Sequence, residues 1–558
     1  MRTPGRGSRT AAQVLVDALE KNSVDHVFCV PGESYLAVLD ALYDASIEVT
    51  TCRQEGGVTM MADAYGKATG RPGICFVTRG PGATNASAGI HIAQQDSTPL
   101  IMFVGQIDRA FKGREAFQEM SYEAVFGSMT KWVTELNDAS RIPEVVSRAF
   151  TVATSGRPGP VVIALPEDML LDQVSVDDVG PAVTVETSPS AGDMATFLDL
   201  LERAERPLMV VGGTRWTPYA CADLRQFAER FDLPVMTSYR RLPLFDPLHP
   251  NYAGDLGLAA NPKVVARVKA CDLLIVAGGR LGEIPSQGYT LVDIPKPQMK
   301  FVHVHASSAE LGRVYRPDLA IHASPIGFAA ALASLAPRGT PRWSKETKAA
   351  HAEYIEWSET PLPQPGGVNL GEIMVQLRNL MPADAILCNG AGNYASWIHR
   401  YFRFRRFASH IAPTSASMGY GVPSAVAIKR LYPDRLVVSV NGDGDFLMNG
   451  QEFATAVHHK LPIIVLVADN ASYGTIRMHQ EREYPGRVIA TDLTNPDFAA
   501  YARAFGGFGA TVDETGQFAE AFEAARASGL PSIVHLKIDQ NAITPARTLD
   551  QIRGVVTA

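Results

Sequence analysis

The chain has 558 residues, 46% of them hydrophobic, which is too long for one core and fits roughly three or four domains of the usual ~150 residues. Its formal net charge of −7 offers no electrostatic attraction to nucleic acid or to an anionic membrane, so neither is an expected partner and small soluble substrates are. No apolar run reaches the ~18 residues needed to span a bilayer. Met1 to Thr10 is basic and Gly-rich with no apolar signal-peptide core, which predicts a disordered tail and a cytoplasmic protein. The six cysteines (Cys29, Cys52, Cys75, Cys221, Cys271, Cys388) lack CxxC spacing and mostly sit in or beside apolar runs, as buried reduced thiols do.

From Ala11 to Val174 helix-like and strand-like segments alternate: a helix over 12–21, a strand over 26–30, a Pro31-Gly32 turn, and a helix to Ala45. Such alternation predicts α/β architecture with a parallel sheet covered on both sides. A polar linker over 174–192 precedes a second α/β region with strands near 208–211, 273–276 and 301–304. A Pro-rich stretch over 336–367, with a short helix near 347–357, leads to a third region opening at Asn369, an N-cap residue type. The expected organisation is a tail over 1–10 and three doubly wound parallel-sheet domains over 11–174, 190–336 and 368–546.

The richest stretch runs from Gly442 to Gly474. A strand over 436–440 delivers Gly442-Asp443-Gly444 to a strand end, where α/β sheets place ligands. An amphipathic helix (Phe453, Ala456, Val457) follows, then a strand over 463–467 ending in Asp469-Asn470-Ala471-Ser472. Asp443, the Asn470 side-chain oxygen and the Ser472 carbonyl suit Mg²⁺, a hard cation that takes a few protein oxygens and completes its shell with phosphate oxygens and water. Gly444 would let backbone N–H groups approach a diphosphate. Twenty-five residues separate Gly444 from Asn470. This spacing resembles the thiamin-diphosphate signature of the acetohydroxyacid synthase (acetolactate synthase) superfamily, with Asp469-Asn470 in place of Asn-Asn and the metal-binding second Asn kept. An incidental Gly-Asp-Gly turn is the plain alternative, against which the full spacing argues.

The resemblance extends along nearly the whole chain and implies a pyrimidine-binding, a middle and a diphosphate-binding domain. Arg53-Gln54-Glu55-Gly56-Gly57 resembles the family's RHEQGA, with Gln54 at the His position, and makes Glu55 the carboxyl on the aminopyrimidine N1′. A Glu at a helix head is otherwise a dipole-stabilising residue. Gly80-Pro81-Gly82-Ala83-Thr84-Asn85 resembles the loop beside the reacting carbon, and Ala116-Phe117-Gln118-Glu119 an element whose Phe117 and Gln118 line the substrate channel. Ala416-Ser417-Met418-Gly419-Tyr420-Gly421 resembles GTMGYG, implying that Met418 props the bent cofactor and the Ala416 carbonyl takes its amino group.

The catalytic set so implied is Glu55, Gly80, Gly82, Phe117, Gln118 and His479. The cofactor-binding set is Glu55, Gly390, Ala391, Gly392, Asn393, Ala416, Met418, Gly442, Asp443, Gly444, Asp445, Asn470, Ser472, Tyr473, Gly474 and Thr475, with metal at Asp443, Asn470 and Ser472. His458-His459 are expected at a solvated helix end. FAD, common in the middle domain of the family, is not expected: the family's acidic HVDIDPAEIG reads His303-Val304-His305-Ala306-Ser307-Ser308-Ala309-Glu310-Leu311-Gly312.

The function implied is decarboxylation of a pyruvate-like 2-oxo acid and ligation of the resulting enamine to a second carbonyl, by a homodimer or homotetramer that shares its sites between subunits. Thr475 and His479 stand where biosynthetic members carry Met and Trp, which leaves the acceptor open. The alternatives are a catabolic lyase or carboligase of another substrate (2-hydroxyacyl lyase, sulfoacetaldehyde acetyltransferase or benzaldehyde lyase type), and a non-catalytic scaffold or regulatory paralogue. Intact Glu55, Asp443 and Asn470 argue against the last.

Overall fold

Three six-stranded sheets, parallel throughout, organise the computed structural model, which describes residues 7–554. By contact the chain divides into two compact units. One takes the residues up to Val185 with Val422–Pro433 and Asn449–Leu461, the other Glu186–Gly421, Asp434–Met448 and the residues from Pro462 on.

The first unit carries the sheet ordered Glu48–Thr51, His26–Cys29, Gly73–Val77, Leu100–Gln106, Pro160–Pro166, Trp132–Glu135. Its central strands are buried end to end, which is why they read as unbroken apolar runs. Chain order reverses between His26–Cys29 and Gly73–Val77, so the Gly80 loop leaves the sheet at its topological switch point.

In the second unit the sheet nearer the N-terminus runs Tyr252–Leu256, Val235–Ser238, Pro207–Val211, Leu273–Ala277, Lys300–His305, Leu319–His322. The other runs His410–Ile411, Ile386–Asn389, Val437–Gly442, Ile464–Asp469, Ser532–Lys537, Phe508–Val512. In this last sheet the reversal falls between Ile386–Asn389 and Val437–Gly442; the first strand is left by the loop Gly390–Asn393 and the second by the helix Asp443–Asn449. The register that pairs Asn389 with Val440 and Gly442 with Ala468 aligns the strand ends that carry the expected cofactor residues.

Several expectations need correction. Most of the anticipated tail lies outside the described residues, but Arg9–Thr10 pair antiparallel with Gln173–Val174, and Thr10 caps the helix Ala11–Lys21. The Pro-rich stretch holds the full helix Ser344–Glu359, which closes the core of the preceding sheet: Trp343 donates to the Phe231 carbonyl at 3.0 Å, and Tyr354 is buried. Of the two histidines expected at a solvated helix end, His458 is exposed there, but His459 is half-buried: its Nε2 accepts the Thr51 N–H at 3.1 Å and desolvation pushes its pKa down to about 4. All six cysteines are unbridged thiols, five of them buried. Among the described residues no helix is long and apolar enough to cross a membrane.

One tether gives a pH-dependent prediction. Arg553, on the short helix Leu549–Arg553, ion-pairs with Glu481 of the helix Gly474–Glu483 at 2.6 Å. Chiefly through that bond, Glu481 is held at about 2, well below the ordinary 4.5. A depressed carboxyl pKa adds stability above its unfolded value, and that stability is lost as pH falls through the folded one. Glu481→Gln is therefore expected to lower the Tm at pH 7, with the deficit shrinking between about pH 4.5 and 2. A deficit constant across that window would contradict the assignment.

Candidate active site

The first group of site residues lies within the first unit. After the strand Glu48–Thr51, Gln54 caps the helix Glu55–Thr69 by accepting the Gly57 N–H at 3.0 Å, so the helix opens at Glu55 itself. Gln54, at the family's His position, is thus accounted for as a cap. Glu55 Oε2 accepts from Asn85 Nδ2 at 3.0 Å, across from the helix Pro81–Asp96. A Cβ on Gly82 would lie 3.1 Å from Glu55 Oε1 and 2.8 Å from Thr78, so only glycine leaves the carboxyl its place there.

Gly80 has φ 51°, a left-handed conformation that favours glycine, and a Cβ on it would meet Gln118 at 3.0 Å. Its N–H donates to Tyr122 Oη. Glu55, Gly80, Gly82 and Gln118 therefore gather around one loop. Phe117 is 72% exposed, too open for a core residue, with the Arg79 guanidinium over its ring at 5.8 Å. Arg79 is itself fixed by Glu33 and Glu167. Asn85 has no distinct role in its loop motif, and only the fold reveals its bond to Glu55.

The second group lines one cavity of about 440 Å³ within the second unit. Ala391, Gly392, Asn393, Ala416, Met418, Gly442, Asp443, Gly444, Asp445, Asn470, Ser472, Tyr473, Gly474, Thr475 and His479 all reach it, joined by Ile476, Met478 and Ile543, which give it an apolar end. Asp443 Oδ2 and Asn470 Oδ1 both accept the same Ser472 N–H, each at 3.2 Å, so the two oxygens converge on one point. Ala471, at φ 51°, makes the turn that allows this. Among the described residues no three His, Cys, Asp or Glu cluster to hold a metal. The available donor set is one carboxylate, one carboxamide and a backbone carbonyl, which fits Mg²⁺ with diphosphate and water completing its shell.

Burial pushes the Asp443 carboxyl above its ordinary value. Asn495 Nδ2 donates to Asp443 Oδ2 and to Asp469 Oδ1, both at 2.7 Å, and His535 Nε2 lies 2.8 Å from Asp469 Oδ2. Asn495 thus buttresses the central carboxylate.

Two cofactor candidates also make contacts with each other and with a neighbouring turn. Asp445 is buried and accepts from Tyr394 Oη at 2.5 Å and the Gly419 N–H at 2.7 Å. Burial raises its pKa to about 6. Gly390 is absent from the cavity wall, and a Cβ there would lie 2.2 Å from Asp445 Oδ1, so its smallness admits that carboxyl. Together they tie the Gly390 and Gly419 turns to the helix Asp443–Asn449. Arg240, buried, adds 2.6 Å bonds to the carbonyls of Gly390 and Pro413. A lone Arg after a strand carries no motif, so sequence inspection passed over it.

Thr475 Oγ1 donates to Asn393 Oδ1 at 3.0 Å, which orients that carboxamide. Ala416 has φ 55°, and its carbonyl leaves a turn closed by its own N–H on Pro413. Of the catalytic candidates His479 alone belongs to this cavity; it is exposed, with Arg482 Nη2 2.8 Å from its Nδ1.

Three family profiles match the chain: Thiamine pyrophosphate enzyme, N-terminal TPP binding domain, over residues 9–125; central domain, over 194–332; and C-terminal TPP binding domain, over 390–536. The chain belongs to the thiamine pyrophosphate enzymes, and within them to the acetolactate synthase large-subunit family. It is similar to the acetolactate synthase large subunit of Parasynechococcus marenigrum (33% identity, 98% of this chain and 91% of the relative). It is also similar to the acetolactate synthase isozyme 2 large subunit of Escherichia coli (30%, 95% of each) and to the acetolactate synthase of Bacillus subtilis (27%, 95% and 93%). Thiamin-diphosphate-dependent decarboxylation with carboligation is the chemistry of this family, and the resemblance read from Gly442 to Gly474 holds along the chain.

Proposed function

We propose that the chain is the catalytic subunit of an acetolactate-synthase-type enzyme that uses thiamin diphosphate and Mg²⁺ to decarboxylate pyruvate or a similar 2-oxo acid and join the remaining two-carbon unit to a second carbonyl compound. The observation that carries this reading is the convergence of Asp443 Oδ2 and Asn470 Oδ1 on one N–H in the wall of a cavity also lined by Met418 and Asn393. Bound there, thiamin diphosphate supplies an electron sink for the pair left when CO₂ departs. Asp443, Asn470 and the Ser472 carbonyl hold the metal, and Gly392, Asn393 and Gly444 accommodate the diphosphate. Met418 would pack against the bound cofactor, and Glu55 would hold a proton at N1′.

The oligomer is a homodimer or homotetramer with its sites shared between copies, as the resemblance to the family implies. Thr475 and His479 in the wall make acceptor choice the property in which this enzyme differs from Met- and Trp-bearing members. Reduced thiols support a cytoplasmic setting.

FAD is not part of the proposal. At the switch point of the sheet nearer the N-terminus, a Cβ on Gly213 would lie 1.8 Å from the Gly278 carbonyl, so the two loops close on each other. Trp216 donates to Gly212 and His303 lies 2.9 Å from the Gly279 carbonyl, filling the same crevice.

Purified protein with Mg²⁺, thiamin diphosphate and pyruvate is expected to release CO₂ and form acetolactate, identified by mass spectrometry, without a flavin band in its absorbance spectrum. Bound cofactor with no pyruvate turnover would overturn the substrate assignment. A stoichiometric flavin would overturn the reading of the crevice.

A further inference from the structure

Glu452 is a fully buried carboxylate that the sequence motifs leave without a role. It opens the helix Glu452–His458, within the first unit. Its Oε1 accepts the N–H groups of Arg53 and Gln54 at 3.1 and 3.0 Å, and its Oε2 accepts from Arg53 N at 3.3 Å and Thr455 Oγ1 at 2.6 Å. Two turns on, at the C-cap, His459 Nε2 takes the Thr51 N–H. A single short helix therefore holds the backbone at three positions over the four residues that lead into Glu55.

The approach is close. A Cβ on Gly57 would stand 2.7 Å from Glu452 Oε1, so glycine at 57 is what admits the carboxylate. Burying a carboxylate is costly, and desolvation raises its pKa while the Thr455, Arg53 and Gln54 bonds oppose that rise. A group kept at such cost, touching the peptide immediately before Glu55, has a positional task. Bonds to an ionised acceptor are short and directional, and the helix Glu55–Thr69 presents its N-terminus to a negative charge.

We propose that Glu452 is a positioning residue for Glu55: it fixes the Arg53-Gln54 backbone so that the Glu55 carboxyl, with Asn85 on its other side, stands at one place and angle. The inference rests on the reading of Glu55 as the holder of the N1′ proton. Glu452 touches neither cofactor nor substrate in this account. A misplacement near 1 Å costs about 10²-fold in rate where geometry governs proton transfer.

The test uses holoenzyme and two readouts: hydrogen–deuterium exchange at C2 of bound thiamin diphosphate, followed by acid quench and NMR, and cofactor affinity from tryptophan fluorescence. Glu452→Asp, which withdraws the carboxylate by one methylene, is expected to slow exchange about 10²-fold with affinity unchanged. Glu452→Gln, whose amide oxygen still accepts both N–H groups, should retain most of the rate. The double variant E55Q/E452D should be no slower than E55Q, because residues acting as a unit are not additive.

Wild-type exchange in E452D, an E452Q rate as low as that of E452D, or a double variant slower than E55Q would each overturn the positioning role while leaving the reading of Glu55 intact. Wild-type exchange in E55Q would instead remove the reading on which the inference rests.

Discussion

Asp443→Ala is expected to abolish turnover and to weaken the joint binding of Mg²⁺ and thiamin diphosphate by well over the 10–100-fold that loss of a supporting partner typically costs. Asp443 is the only carboxylate in the candidate donor set, and its oxygen shares the Ser472 N–H with Asn470 Oδ1. Asn495→Ala removes only the brace that holds that carboxylate toward Asp469, and should raise the metal requirement by about 10–100-fold with the catalytic step largely kept. Titrating cofactor-dependent fluorescence quenching with Mg²⁺ separates the two: the Asn495 variant is rescued by high Mg²⁺ and the Asp443 variant is not.

Stability should move differently. Burial raises the Asp443 pKa on folding, so its ionised form opposes the fold near neutral pH in the absence of metal. Asp443→Asn should therefore leave the Tm of cofactor-free protein unchanged or higher while losing cofactor binding. A large loss of Tm would mean that Asp443 is a structural group.

What could be read from the sequence divides along a physical line. Strand ends bearing Gly-Asp-Gly, Asn470 and Met418 are local patterns: an apolar run, a turn residue, a polar donor, each within a few positions. These led directly to the cavity. Glu452, Asn495 and Arg240 work across 398, 52 and 150 residues of chain, through bonds to Gln54, Asp443 and Gly390. Nothing local marks them, since a polar side chain on a short helix or beside a proline is by default a surface group. The helix Ser344–Glu359 was underestimated for a related reason, because its charged residues mask the two aromatics, Trp343 and Tyr354, that enter the core. Asp445 and Gly390 neighbour other candidates in sequence, and the fold adds that the Asp445 carboxyl packs on Gly390 and accepts the Gly419 N–H, a long-range tie that no local pattern marks.

Glu55→Gln should lower kcat by about 10²–10⁴-fold, the usual share of a positioned acid–base group, while leaving cofactor affinity within a small factor of wild type. The amide can still accept from Asn85 and fits beside Gly82, so the loop keeps its shape and only the exchangeable proton is lost. That separates it from Asp443, whose loss removes the cofactor itself. Gly82→Ala makes the complementary case: the new methyl would stand 3.1 Å from Glu55 Oε1 and 2.8 Å from Thr78, so the carboxyl must shift although its chemistry is intact. Both variants should therefore lose C2 exchange and retain bound thiamin diphosphate, the first through chemistry and the second through geometry. Exchange at the wild-type rate in Glu55→Gln would leave its place as the acidic residue in the first turn of the helix Glu55–Thr69 as the sole remaining role of that residue, and would move the search for the proton carrier to another side chain.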